Sequence, residues 1–197
     1  MNQHIHEALD ESASALARLR DDVSTIATIE AAARALIASF SSGGQTFSCG
    51  NGGSLCDAMH FAEELSGRFR HNRPGLPATA ISDPAHISCV ANDFGYDAIF
   101  SRYIESHARS GDVLLAISTS GGSPNVLKVA AVARDRGMTV IALTGKPQSP
   151  LEEHADHVIC TPGGAFSDRI QELHIKVIHI LVELVERALF PENYQPS

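Results

Sequence analysis

The chain has 197 residues, 44% of them apolar and 19% charged, which suits one sizeable globular domain with a real hydrophobic core. The formal charge of −8 argues against a general binder of nucleic acid or of anionic membranes, both of which need a net basic surface. The polar, acidic start MNQHIHEALDESA has no apolar signal-peptide core, and no run approaches the roughly 18 consecutive apolar residues of a membrane helix.

Ile5, Ala8, Leu9, Ala13, Leu16 and Leu19 recur at helical spacing and predict a helix over 3–20. A second follows over 24–41, with Ile26, Ile29, Ala33, Leu36, Ile37 and Phe40 on one face and Gly43-Gly44 as its stop. Both precede any strand, and they either pack on the main domain or form an oligomer surface. TFSC (46–49) then reads as a strand, followed by a glycine loop and a helix to about Phe69. LPATAIS (76–82) reads as a second strand, with helical pieces after Asp83-Pro84 and over Tyr96 to His107. DVLLAIS (112–118) is the clearest strand. It leads into TSGGSP and a helix over 124–136 with Pro124 at its first turn. MTVIAL (138–143) and HVIC (157–160) complete five strands, and an apolar-rich helix runs from Ser167 to Leu189. The last residues, PENYQPS, read as a frayed tail. Strands alternating with helices predict an α/β fold with a mostly parallel five-stranded sheet. The expected organisation is a single domain over 1–197. It has N-terminal helices at 1–42, an α/β core at 43–190 and a tail at 191–197.

Cys49, Cys56, Cys89 and Cys160 are scattered, with no CxxC pair, and read as reduced, mostly buried thiols of a cytosolic protein. Two glycine loops carry more information. A strand that ends in GNGGS and continues as a helix offers free N–H groups and the positive end of the helix dipole, an anion site. The segment matches neither the P-loop nor the dinucleotide fingerprint, because Leu55 stands where the latter wants Gly or Ala. The same residues also suit a tight turn with Ser54 as N-cap. STSGGSP places Ser118, Thr119, Ser120 and Ser123 beside two glycines, a lining for a phosphate ester without lysine. In a 2-1-3-4-5 strand order both loops would face one crevice at the switch point.

His60 and Glu64 lie four apart, on one face of the helix that follows GNGGS. They read either as a solvated ion pair or, given apolar neighbours Phe61, Ala62 and Leu65, as an inward pair needing a metal or another partner. Gln171 and His179 share one side of the last helix, with His174 on another face. Two His, one Glu and one Gln make a divalent-metal set of the zinc type, although spacing alone cannot bring two helices together. Asn92-Asp93 reads as a helix-end turn, and Asp168-Arg169 as a helix start with a favourable acidic residue.

The segments SCGNGGS-x-CDAMHFAEEL, NRPG, ISD, NDFGY, ISTSG-x-S-x-N and DRIQE-x-HIKVIHIL resemble, in this order, the phosphoheptose isomerases of the sugar-isomerase (SIS) domain family. The resemblance runs from about residue 40 to 187. It implies a three-layer αβα sandwich, a cytoplasmic homotetramer and one Zn²⁺ per subunit. It also implies conversion of sedoheptulose 7-phosphate to D-glycero-D-manno-heptose 7-phosphate, a step toward the activated heptose of lipopolysaccharide core, with no nucleic-acid or membrane partner. Carried over by position, Asn51, Gly52, Gly53, Ser54, Glu64, Asn92, Asp93, Ser118, Thr119, Ser120, Ser123, Asp168 and Gln171 would touch substrate. His60, Glu64, Gln171 and His179 match the zinc positions, and Glu64 and His179 the acid/base pair. Leu55 departs from the pattern, since relatives often carry His there. On this reading Glu64 takes the carbon-bound proton and His179 serves the oxygens of an enediol(ate). An apolar helix face would raise the pKa of Glu64 and zinc would lower it. The competing reading is a SIS module that binds a phosphosugar as a regulator, or an initiator protein as a scaffold, without chemistry.

Overall fold

The computed structural model describes residues 1–164 and 166–195. Helices α1 (Asn2–Asp21) and α2 (Val23–Ser41) are joined at Asp22, whose carboxylate accepts from the Thr25 N–H at 3.0 Å and caps α2. Strands β1 (Thr46–Gly50), β2 (Ala78–Ala80), β3 (Val113–Ser118), β4 (Thr139–Thr144) and β5 (His157–Cys160) form one sheet in the order β2-β1-β3-β4-β5, every pair parallel. Between them lie α3 (Gly53–Ser66), α4 (Pro84–Phe94), α5 (Ser101–His107), α6 (Pro124–Asp135) and, last, α7 (Ser167–Leu189). The strand order is the one anticipated, and it places the ends of β1 and β3 side by side, with Gly50 opposite Ile117.

The period-two alternation of the strands divides the core. Val113, Leu115, Ile117, Ile141, Leu143 and Ile159 point to one face, where they pack with α1, α2, α3 and α7. Phe47, Cys49, Leu114, Ala116, Val140 and Ala142 point to the other, against α4, α5 and α6. Helices therefore cover both faces, giving three layers.

Several expectations need correction. β2 spans only Ala78–Ala80 rather than 76–82, because only three of its residues pair with β1 at the sheet edge. The piece over 96–107 splits into a 3₁₀ turn, Tyr96–Ala98, and α5. A 3₁₀ turn at Pro150–His154, closed by a Ser149/Glu152 capping box, was not anticipated. The tail is not frayed over Pro191–Tyr194, which forms a further 3₁₀ turn; residues 196 and 197 lie outside the described residues. Cys56 and Cys89 are exposed, so only Cys49 is a fully buried thiol, and burial pushes it up to about 12. Finally, α2 is long and apolar enough, by length and composition, to cross a membrane. In this fold Ile29, Ala32, Ala33 and Leu36 turn its apolar stripe into the core.

Candidate active site

The first loop turns at Gly52, which has φ +56° and ψ −123°, a conformation that L side chains rarely adopt. Gly52 is therefore the residue before α3. Ser54 is not the N-cap: it lies buried in the first turn, its N–H bonded to Asn51 C=O at 3.1 Å. Gly53 is required for another reason. A Cβ there would sit 2.6 Å from Gln171 Nε2, so the Gln171 carboxamide lies directly on the start of α3.

The two loops are clasped together. The Asn51 and Asn125 carboxamides donate to each other reciprocally, both at 2.9 Å, and Tyr96 Oη donates to Asn51 Oδ1 at 3.1 Å. Asn125 is almost fully buried at the start of α6, so this clasp fixes the β1 loop against the β3 loop. It also draws the turn after α4 over the first loop. Asn92 and Asp93 occupy the exposed last turn of α4, where Asn92 Nδ2 donates to Asp93 Oδ1 at 2.7 Å. In the second loop Ser118 is buried and shares a hydrogen bond with Ser123 Oγ at 3.1 Å, while Ser120 is exposed and accepts from the Gly122 N–H. Thr119 is half-buried, and its carbonyl accepts from Gly145 N–H at 3.1 Å. Asp168 is exposed at the start of α7, its carboxylate turned back to the Arg169 N–H.

About two helical turns along α3 from Gly53, a second set of groups meets. His60 Nε2 lies 3.1 Å from Glu64 Oε1, and His179 Nε2 lies 3.2 Å from His60 Nε2. The packing of α3 on α7 thus joins residues 119 positions apart. Ligand atoms of His60, Glu64 and His179 all lie within 4.8 Å of one another. Gln171, the fourth anticipated ligand, is held eight residues away on α7, against Gly53. Among the described residues this trio is the one His/Cys/Asp/Glu cluster of that kind. Two imidazole nitrogens and a carboxylate oxygen converging at this distance fit zinc by donor chemistry. Burial is the largest cause that holds His179 below the usual histidine range; the neighbouring His60 adds to it and Glu64 opposes it.

Some residues around the site carried no signal in the sequence. Asn125, Tyr96 and Arg73 look like ordinary helix-start, loop and surface residues until the tertiary contacts are drawn. Each stands within a segment that resembles the family (ISTSG-x-S-x-N, NDFGY and NRPG), but nothing in those segments marks it as a site residue. Asp57 is another: it sits one turn before His60, with Oδ2 buried and no partner, and burial raises its carboxyl to about 6.

Comparison with known proteins sets the class first. A model of the SIS domain matches residues 9–145. Phosphoheptose isomerases of Salmonella dublin and Salmonella newport are 59% and 58% identical to this chain over 185 residues, 94% of this chain and 96% of theirs. The solved structure of a phosphoheptose isomerase from Neisseria gonorrhoeae superposes with a TM-score of 0.86 at 32% identity, over 94% of this chain and 98% of that one. The one from Francisella tularensis does so at 0.88 and 32%, over 94% and 97%. The chain belongs to the SIS-domain family and, within it, to the phosphoheptose isomerases, and it is an isomerase.

Proposed function

We propose that this enzyme interconverts sedoheptulose 7-phosphate and D-glycero-D-manno-heptose 7-phosphate through an enediol(ate). The observation that carries the reading is the His60–Glu64–His179 cluster, in which His179 of α7 meets two residues of α3, the helix that the glycine loop opens. A non-catalytic phosphosugar binder would need the loops but not these three groups.

The chemistry is a proton transfer between C1 and C2. Glu64 removes the carbon-bound proton and returns one to the neighbouring carbon. His179, kept neutral near pH 7 by the lowering of its pKa, moves protons between the two oxygens. The Ser118–Ser123 loop and the N–H groups at the start of α3 hold the phosphate and orient the chain, with Asn92, Asp93, Asp168 and Gln171 along the sugar. Zinc, held by His60, Glu64 and His179, would polarise the carbonyl as a Lewis acid, while Gln171 lies against Gly53 at the start of α3.

Exposed Ile5, Leu9 and Leu16 on α1, continued by Val23 and Ile26 on α2, support a homotetramer built on the N-terminal helices. A cytoplasmic location follows from the chemistry, since the substrate is a phosphorylated metabolite.

The hydroxyl loop supplies a prediction. Ser120→Ala removes one exposed hydroxyl from the phosphate lining, and about 1.5 kcal/mol for a charge-assisted bond corresponds to a roughly 10-fold rise in KM with kcat nearly unchanged. Steady-state kinetics on sedoheptulose 7-phosphate check it, and a kcat loss at constant KM would contradict the binding role. The reading as a whole is tested by turnover of that sugar in zinc-replete protein and after chelation. Turnover that falls on chelation and returns with Zn²⁺ supports it. No aldose from the zinc-replete enzyme overturns it.

A further inference from the structure

Arg73 is a fully buried arginine outside the site, and the isomerisation chemistry does not use it. Its guanidinium side chain is 1% exposed. Nη2 donates to the Glu64 carbonyl at 2.7 Å, and Nη1 donates to the carbonyls of Leu65 at 2.6 Å and Gly67 at 3.1 Å. The Glu64 and Leu65 carbonyls belong to the last turn of α3, which the helix itself leaves without partners, and Gly67 is the residue that follows it. A cation there also meets the negative end of the helix dipole. The remaining nitrogen, Nε, donates to Glu186 Oε1 at 2.7 Å, and Glu186 is 0% exposed.

Glu186 belongs to α7, seven residues after His179, so the two share a face about two turns apart. One ion pair thus ties the backbone of Glu64 to the helix that carries His179. The C-terminal turn closes the other side. Tyr194 Oη donates to Glu186 Oε2 at 2.8 Å, its ring meets His71 edge-on at 5.6 Å, and Asn193 Nδ2 donates to Asn72 C=O at 3.3 Å. Both neighbours of Arg73 on its N-terminal side are therefore held by the turn that the sequence shows only as a polar tail. A buried ion pair is a poor source of stability, because well-packed apolar residues often do as well. Its use here lies in geometry.

We propose that Arg73, held by Glu186 and Tyr194, is a positioning residue that sets the separation of α3 from α7 and so keeps Glu64, His60 and His179 converged. It touches no substrate and acts through the backbone of Glu64. The inference rests on the functional reading above for its kinetic consequence, but its geometric consequence stands without it.

The test uses the full-length enzyme and two variants. Arg73→Met/Glu186→Leu replaces the pair with apolar residues and leaves no buried charge alone. Arg73→Lys keeps the charge but cannot span the three carbonyls and Glu186, and it decides the matter where the double variant fails to fold. In either folded variant, kcat is expected to fall about 10-fold at unchanged KM, and the Kd for Zn²⁺, read by chelator competition, to rise about 10-fold, the scale of a lost outer support. The imidazole-to-imidazole NMR cross-peak between His60 and His179 should also weaken, and this readout needs neither zinc nor substrate. A folded variant with wild-type kcat, zinc affinity and cross-peak overturns the proposal. Wild-type enzyme that lacks turnover and zinc binding would instead count against the functional reading, and the cross-peak would still decide the role of Arg73.

Discussion

Glu64→Gln should cut kcat by roughly 10²–10⁴, the usual scale for a general base, with little change in KM. Glutamine has the same shape and keeps a carbonyl oxygen for the His60 contact at 3.1 Å, so the packing of α3 on α7 is preserved. What it cannot do is accept a proton from carbon. The Glu64 side chain is only 16% exposed, so solvent is a poor substitute. Because the carboxylate also belongs to the zinc trio, the comparison is made at saturating Zn²⁺, where lost metal affinity does not masquerade as lost chemistry. Near-normal turnover under those conditions removes Glu64 from the role of base.

The second large effect concerns stability in acid. His174 is 0% exposed on α7 and neither ring nitrogen has a partner in hydrogen-bonding geometry. Burial lowers it to about 4, opposed weakly by the Thr144 backbone. The folded protein therefore keeps this imidazole neutral while the unfolded chain protonates it near pH 6.5. Between these values the unfolded state binds more protons, so stability falls as pH drops from about 6.5 to about 4. The full loss from this group is on the order of 3 kcal/mol. Asp57 works the other way: its carboxyl, raised from 3.8 to about 6, binds a proton first in the folded state and so adds stability as pH falls through that window. The clean comparison is thus wild type against His174→Leu by urea unfolding at pH 7 and pH 4.5. The variant should lose clearly less stability between the two. Equal losses would mean that His174 does not carry the acid sensitivity.

Much of the architecture follows from local pattern. The apolar runs of β1, β3 and β4 are fully buried strands of a parallel sheet, and alternating strands and helices leave few topologies open. The departures have local causes. A glycine at positive φ, rather than the Ser54 hydroxyl, makes the turn into α3. Tyr194 is anchored by a carboxylate eight residues upstream, which composition cannot show. At the site, the hydroxyl loop and the i, i+4 spacing of His60 and Glu64 are readable along the chain. The convergence of His179 on His60 is not, because it depends on how α3 packs on α7; only the likeness to a family pointed there. Arg73 lies at the far end of that limit: NRPG stands in the sequence only as one of the segments that resemble the family, yet its arginine is buried against backbone carbonyls and a carboxylate.

The most direct test of the central claim is NMR of sedoheptulose 7-phosphate incubated in D₂O with the zinc-loaded enzyme. Wild type should form aldose heptose 7-phosphate carrying deuterium at C2, and Glu64→Gln should form almost none. Neither aldose nor deuterium exchange from the wild-type enzyme would contradict the claim, and the glycine and hydroxyl loops would then bind a phosphosugar without chemistry.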